Sequence, residues 1–117
     1  MTADRFRDLA LALDGAEEHA HMGHPDFRAN GRIFAGLDAA EHIGTLKLTP
    51  EQQAEMIRQQ PDAFTPAAGA WGRQGWTKVS LGDAAVTPVR TALLLAYQAV
   101  MERPKAKTRK RPGPKRR

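Results

Sequence analysis

The chain has no cysteine in its 117 residues. That excludes disulfides, thiolate nucleophiles and cysteine-based zinc sites, and it suits a cytoplasmic protein. Serine occurs once, as Ser80, outside any G-x-S-x-G setting, and neither a Walker loop nor a G-x-G-x-x-G strand-to-helix turn is present. No apolar run approaches the roughly 20 residues that a membrane span needs. The opening residues MTADRFRDLALALDG carry charges within an amphipathic pattern, which reads as a helix and not as a secretory leader. Aromatics are 6% of the chain. They are Phe6, Phe27, Phe34, Phe64, Trp71, Trp76 and Tyr97, enough for one modest core.

The charges of the two signs are distributed unevenly along the chain. The chain has 18 Lys/Arg and 13 Asp/Glu, a net of +5. Nine of the basic residues lie between Arg103 and Arg117, with no acid among them. Residues 1–102 therefore hold nine Lys/Arg against thirteen Asp/Glu, a net of −4. The expected organisation is a folded domain over residues 1–103 and a disordered basic tail over 104–117.

Within the body, Phe6, Leu9, Ala10 and Leu13 recur at helical spacing, with Thr2 as a cap and Gly15 as a stop. Asn30-Gly31 is the strongest hairpin signal, because both residues tolerate positive φ. A two-residue turn there pairs Ala29 with Arg32, Arg28 with Ile33, and Phe27 with Phe34. The segment from His42 to Leu48 reads as a strand with Leu46 and Leu48 on one side and Thr45 and Lys47 on the other. Thr49-Pro50-Glu51-Gln52 opens a second helix, with a cap, a first-position proline and a capping-box glutamine. Pro61 ends it, and residues 61–75 read as irregular. Trp76 to Leu81 alternates, with Thr77, Val79 and Leu81 against Trp76, Lys78 and Ser80. Thr87-Pro88 opens a last helix whose stripe is Val89, Leu93, Ala96, Tyr97 and Val100. This order predicts an α+β two-layer domain, an antiparallel sheet with helices packed on one face.

Three features bear on function. His19, His21 and His24, beside Glu17 and Glu18, have strand spacing that puts two imidazoles on one face. A closed set of metal ligands is not legible there, so no metal and no cofactor is expected. An acid–base role for these histidines lacks a nearby nucleophile, and a non-enzymatic protein is expected. Second, Arg28, Arg32, Lys47, Arg73, Trp76 and Lys78 fall on strands or their connections. A sheet face with lysines and a tryptophan can meet phosphates and stack bases. Third, Lys105, Lys107, Arg109, Lys110, Arg111, Lys115, Arg116 and Arg117 make the tail a polycation that would add salt-dependent, weakly sequence-specific affinity for DNA. The competing reading is a small protein- or ligand-binding module with a passive tail.

The motifs FRANGRIFA at 27–35, KLTPEQ at 47–52, GAWG at 69–72 and WTKV at 76–79 resemble the MmcQ/YjbR family, and HMGHP at 21–25 resembles one branch of it. The resemblance runs over residues 3–102. It implies a frataxin/CyaY-like fold and a DNA-binding role in which the sheet forms a double wing. Arg32 stands at the family's basic position after the hairpin glycine, and Trp76 at its aromatic before the last strand. The resemblance brings no catalytic residue. Frataxins bind iron through acids on their first helix; here that helix has Asp4, Asp8 and Asp14 interleaved with Arg5 and Arg7, so an iron role is not implied.

Overall fold

A computed structural model describes residues 1–103. The elements in chain order are α1 (Ala3–Leu11), β1 (Glu17–His21), β2 (His24–Ala29), β3 (Arg32–Asp38), β4 (Ile43–Lys47), α2 (Pro50–Gln59), β5 (Phe64–Pro66), α3 (Gly69–Arg73), β6 (Trp76–Ser80) and α4 (Val86–Met101). The six strands form one sheet in the order β1-β2-β3-β4-β6-β5, and every neighbouring pair is antiparallel. This is the expected α+β architecture. Among the described residues no helix is long and apolar enough to cross a membrane.

The caps expected from sequence account for two helix starts. The Thr2 hydroxyl accepts from the Arg5 amide, and α2 carries the full capping box between Thr49 and Gln52. α4 differs. It begins one residue before Thr87, with Ala85 in the cap position and no side-chain cap, so Thr87 and Pro88 lie inside the first turn. Proline is tolerated there because a first-turn amide has no intrahelical acceptor to lose.

The core lies between one sheet face and the helices. Phe6 and Ala10 of α1 and Val89, Ala92, Leu93, Ala96 and Val100 of α4 are buried against Phe27, Ala35, Leu46 and Val79 of the sheet. Phe6 meets Phe27 edge-on at 6.2 Å, and Phe34 meets Tyr97 at 5.8 Å. Burial of this kind contributes about 1.5–3 kcal/mol for each large side chain.

The hairpin at Asn30-Gly31 forms as expected, with both residues at positive φ, 55° and 74°. Ala29 opposes Arg32 and Arg28 opposes Ile33, but the expected Phe27–Phe34 pairing does not occur. Phe27 opposes Ala35, and Phe34 is the extra residue of a β-bulge. The bulge lets two consecutive residues, Phe34 and Ala35, both reach the core, where each is fully buried. A strict two-residue alternation would have put one of them on the other face.

The stretch 61–75, read as irregular, contains the edge strand β5 and the short helix α3. Both are shorter than the window over which hydrophobic periodicity is visible. β5 pairs with β6, and a buried polar knot ties α3 to α2 and the start of β6. The Gln53 carboxamide nitrogen lies within hydrogen-bond distance of the Gly72 carbonyl (3.1 Å), the Trp76 carbonyl (3.0 Å) and the Thr77 hydroxyl (3.1 Å). Thr77 donates onward to the Gly75 carbonyl at 2.9 Å. Gly75 has φ +112, and a Cβ there would lie 1.7 Å from the Leu48 carbonyl oxygen, so the connection into β6 requires glycine. At the opposite end, Asn30 Nδ2 donates to the carbonyls of Val100 and Arg103, each at 2.8 Å, and satisfies the end of α4.

Candidate functional site

The second face of the sheet carries no helix from the core layer. Residues directly opposite on neighbouring strands share a face, and alternate residues along a strand repeat it. The pairings Lys47 with Trp76, Thr45 with Lys78, Gly36 with Thr45, and Asp26 with Gly36 therefore define one continuous surface. One row runs Asp26, Gly36, Thr45, Lys78 across β2, β3, β4 and β6. A second joins Lys47 to Trp76, with Arg28 and Ile33 continuing it on β2 and β3. A third joins Asp38, Ile43 and Ser80.

Sequence reasoning put Lys47, Trp76 and Lys78 on one face, and the structure brings them together. Lys78 is exposed and Trp76 half-buried. The Lys47 ammonium donates to the Gln74 carbonyl at 2.9 Å, which closes the end of α3 and leaves two of its three hydrogens for another acceptor. Trp71 of α3 packs edge-on against Trp76 at 6.2 Å and is itself 64% exposed. In the sequence Trp71 stands out as an aromatic in a glycine-rich stretch and as part of the GAWG motif, without a place on this face. The signal that marks it in retrospect is the pair of tryptophans on either side of Gly75. Arg73 is exposed in the last turn of the same helix.

The remaining expected contacts fall elsewhere. Arg28 is on this face, but its guanidinium is bound bidentately by Asp26 at 2.7 and 3.1 Å. The Asp26 hydrogen bond raises the Arg28 pKa above its ordinary value. Arg32, expected beside Arg28 for a partner, is half-buried and opposes the buried Ala29, so period-two alternation puts it on the helix-bearing face. The tail residues Lys105, Lys107, Arg109, Lys110, Arg111, Lys115, Arg116 and Arg117 lie outside the described residues.

The histidines are on the exposed β1–β2 hairpin. His21 opposes His24, His19 opposes Asp26, and His19 pairs with Glu17 at 3.2 Å. Among the described residues no group of three or more His, Asp or Glu is placed to hold a metal ion. The hairpin turns at Met22-Gly23, both at positive φ, with Met22 86% exposed. Methionine is an unusual first residue for such a turn, which is why the sequence did not announce it.

Between this hairpin and β6 the face dips into a cleft of about 380 Å³. Its floor and walls include Ile33, Gly36, Ile43, Thr45 and Trp76, with Asp26 and Asp38 along one margin. Asp26 is only 5% exposed. Gly36 lies at the centre of its row, and the Thr45 side chain closes over it. A Cβ there would lie 2.8 Å from the Thr45 hydroxyl oxygen.

The fold and this face define an antiparallel-sheet module with one packed side and one cation-and-aromatic side. A family model described as YjbR matches residues 11–99, and the chain belongs to that family, also called MmcQ/YjbR. It is 30% identical over 101 residues to an alanine–tRNA ligase of Cereibacter sphaeroides, a match that covers 82% of this chain and 11% of that protein. The chain thus spans about a tenth of the length of that curated relative. Its fold is similar to the crystal structure of the Deinococcus radiodurans protein DR2400, a DUF419 domain, with a TM-score of 0.73 at 22% identity over 86% of this chain and 79% of that one.

Proposed function

We propose that the protein is a non-enzymatic nucleic-acid-binding protein whose partner is DNA, contacted by the open sheet face and by the basic tail. The observation that carries this reading is the grouping of Lys47, Trp76 and Lys78 on one face with the exposed Trp71 beside Trp76. Lysines meet phosphates, and exposed indoles stack on bases that are not held in a duplex. The face therefore favours strands with accessible bases over fully paired DNA. The nine basic residues from 103 to 117 would add affinity that is insensitive to sequence. The likeness to part of a protein named as a tRNA ligase is compatible with a nucleic-acid setting. The body's net charge of −4 argues that any binding by the sheet is local and not a general electrostatic attraction.

The test is fluorescence anisotropy with single-stranded and duplex DNA, and with RNA of the same sequence, across a salt series. The full chain is compared with a 1–103 truncation. The reading expects the truncation to retain binding to single strands, and Lys78→Ala and Trp71→Ala each to weaken it. Binding by the full chain alone would reduce the activity to a generic polycation. No binding by either near physiological salt would leave the second reading, a small-ligand module, which the cleft favours.

A further inference from the structure

We propose that the cleft on the open face is a nucleotide subsite, with a base lying over Gly36 and its phosphate directed to Lys78 and Lys47. This rests on the nucleic-acid reading insofar as the same lysines serve both. It goes further by naming what the cleft holds: one nucleoside phosphate, free or as a unit of a strand.

Three observations converge. The first is shape. Gly36 and Thr45, in the row Asp26, Gly36, Thr45, Lys78, form a low floor, and the half-buried Trp76 and the apolar Ile33 and Ile43 flank it. A planar heterocycle suits such a slot, and the volume of about 380 Å³ is within the range of small-molecule sites. The second is polarity along the row. Its β2 end is a carboxylate and its β6 end an ammonium, separated by three strand spacings, roughly 14 Å between backbones. An adenine nucleotide has the complementary order, with an exocyclic amino donor at one end and an anion at the other. The third is unused hydrogen-bonding capacity. Asp26 accepts two bonds from Arg28, and Asp38 accepts one from the Glu41 amide at 3.2 Å. Each carboxylate has about four acceptor positions, so both can still receive a donor. The Thr45 hydroxyl forms no hydrogen bond among the described residues. No lysine or arginine lines the cleft itself; Lys78 and Lys47 are the cross-strand neighbours of its lining residues Thr45 and Trp76. The apolar slot and the cationic margin are thus separate, as base and phosphate require.

The experiment uses the full chain and three probes: AMP, ribose 5-phosphate and a short oligodeoxyadenylate. In Trp71→Phe the remaining tryptophan is Trp76, so its fluorescence reports on the cleft. AMP is expected to change that fluorescence saturably, and ribose 5-phosphate, which lacks the base, to bind at least tenfold more weakly. Gly36→Val raises the floor of the cleft, displaces the Thr45 side chain and is expected to weaken AMP at least tenfold; circular dichroism checks that it folds. If it does not fold, the comparison of AMP with ribose 5-phosphate at Trp76 decides alone. Equal binding of the two probes, or AMP binding unaffected in a folded Gly36→Val, overturns the subsite. If the oligonucleotide still binds in that case through Trp71 and Lys78, the proposed function survives without it. AMP binding that depends on Gly36, with no oligonucleotide bound, instead assigns the site to free nucleotides and removes the proposed function.

Discussion

The two faces of this sheet are built from the same strands, yet they differ in how they are finished. On one, Phe27, Ala35, Leu46 and Val79 are sealed under α1 and α4 with no exposed surface. On the other, Ile33, Ile43 and Trp76 are only half covered, and Asp26, Arg28, Thr45, Lys47 and Lys78 are interspersed among them. Alternation alone sets up this contrast, since successive side chains point to opposite sides. The contrast shows where each residue's free energy goes. On the packed face a side chain contributes to stability; on the open face Ile33, Ile43 and Trp76 forgo part of that burial, and Lys78 stays in solvent.

The largest effect is expected from shortening a side chain on the packed face. Phe34→Ala removes a fully buried ring from the bulge and its edge contact with Tyr97, and is expected to cost about 3–5 kcal/mol by chemical denaturation. A loss under 1 kcal/mol would mean that the bulge does not anchor the core. Next in size is Gln53→Leu. It leaves the Gly72 and Trp76 carbonyls without this donor and is expected to cost about 1–3 kcal/mol, with a shift in tryptophan emission as α3 loosens. An unchanged spectrum would show that the knot does not position the two indoles.

On the open face the pattern should invert. Trp71→Ala should leave stability within about 0.5 kcal/mol, as for surface changes generally, while weakening single-strand binding by about 1–3 kcal/mol, the scale of one base–aromatic stack. A variant that destabilises the fold without altering binding would place Trp71 with the core. The smallest effect lies outside both faces. Hydrogen bonds from Arg58 and Gln59 lower the Glu55 pKa from 4.5 to about 2. A carboxylate depressed on folding stabilises the native state above its unfolded pKa and loses that contribution as pH falls through its folded value. Glu55→Gln should therefore flatten, slightly, the decline in stability between about pH 4.5 and pH 2. The pair is on the surface of α2, so solvent screening keeps the change small.

Much of the fold was legible because its signals are local. The capping box at Thr49, the Asn30-Gly31 turn and the alternation from Trp76 to Leu81 each follow from a few neighbouring residues. What escaped depends on distant partners. The bulge at Phe34 arises from competition between hairpin register and the core beneath α4, which the hairpin sequence does not contain. The α3 helix is held by Gln53, nineteen positions before Gly72, so the setting of Trp71 could not be read from GAWG alone. The face shared by Lys47, Trp76 and Lys78 was legible once β4 and β6 were taken as neighbours. The cleft was not, because its lining comes from five strands, β1 to β4 and β6, whose order in the sheet no local stretch contains.

The proposed function stands or falls on binding by the open face and not by the tail alone. The most direct measurement is the affinity of the 1–103 truncation for single-stranded DNA near physiological salt, with Lys78→Ala and Trp71→Ala alongside. Binding is expected to saturate and to weaken with each substitution, while the thermal midpoint stays within a few degrees of the parent. Truncated protein that does not bind, or binds equally well after both substitutions, would contradict it.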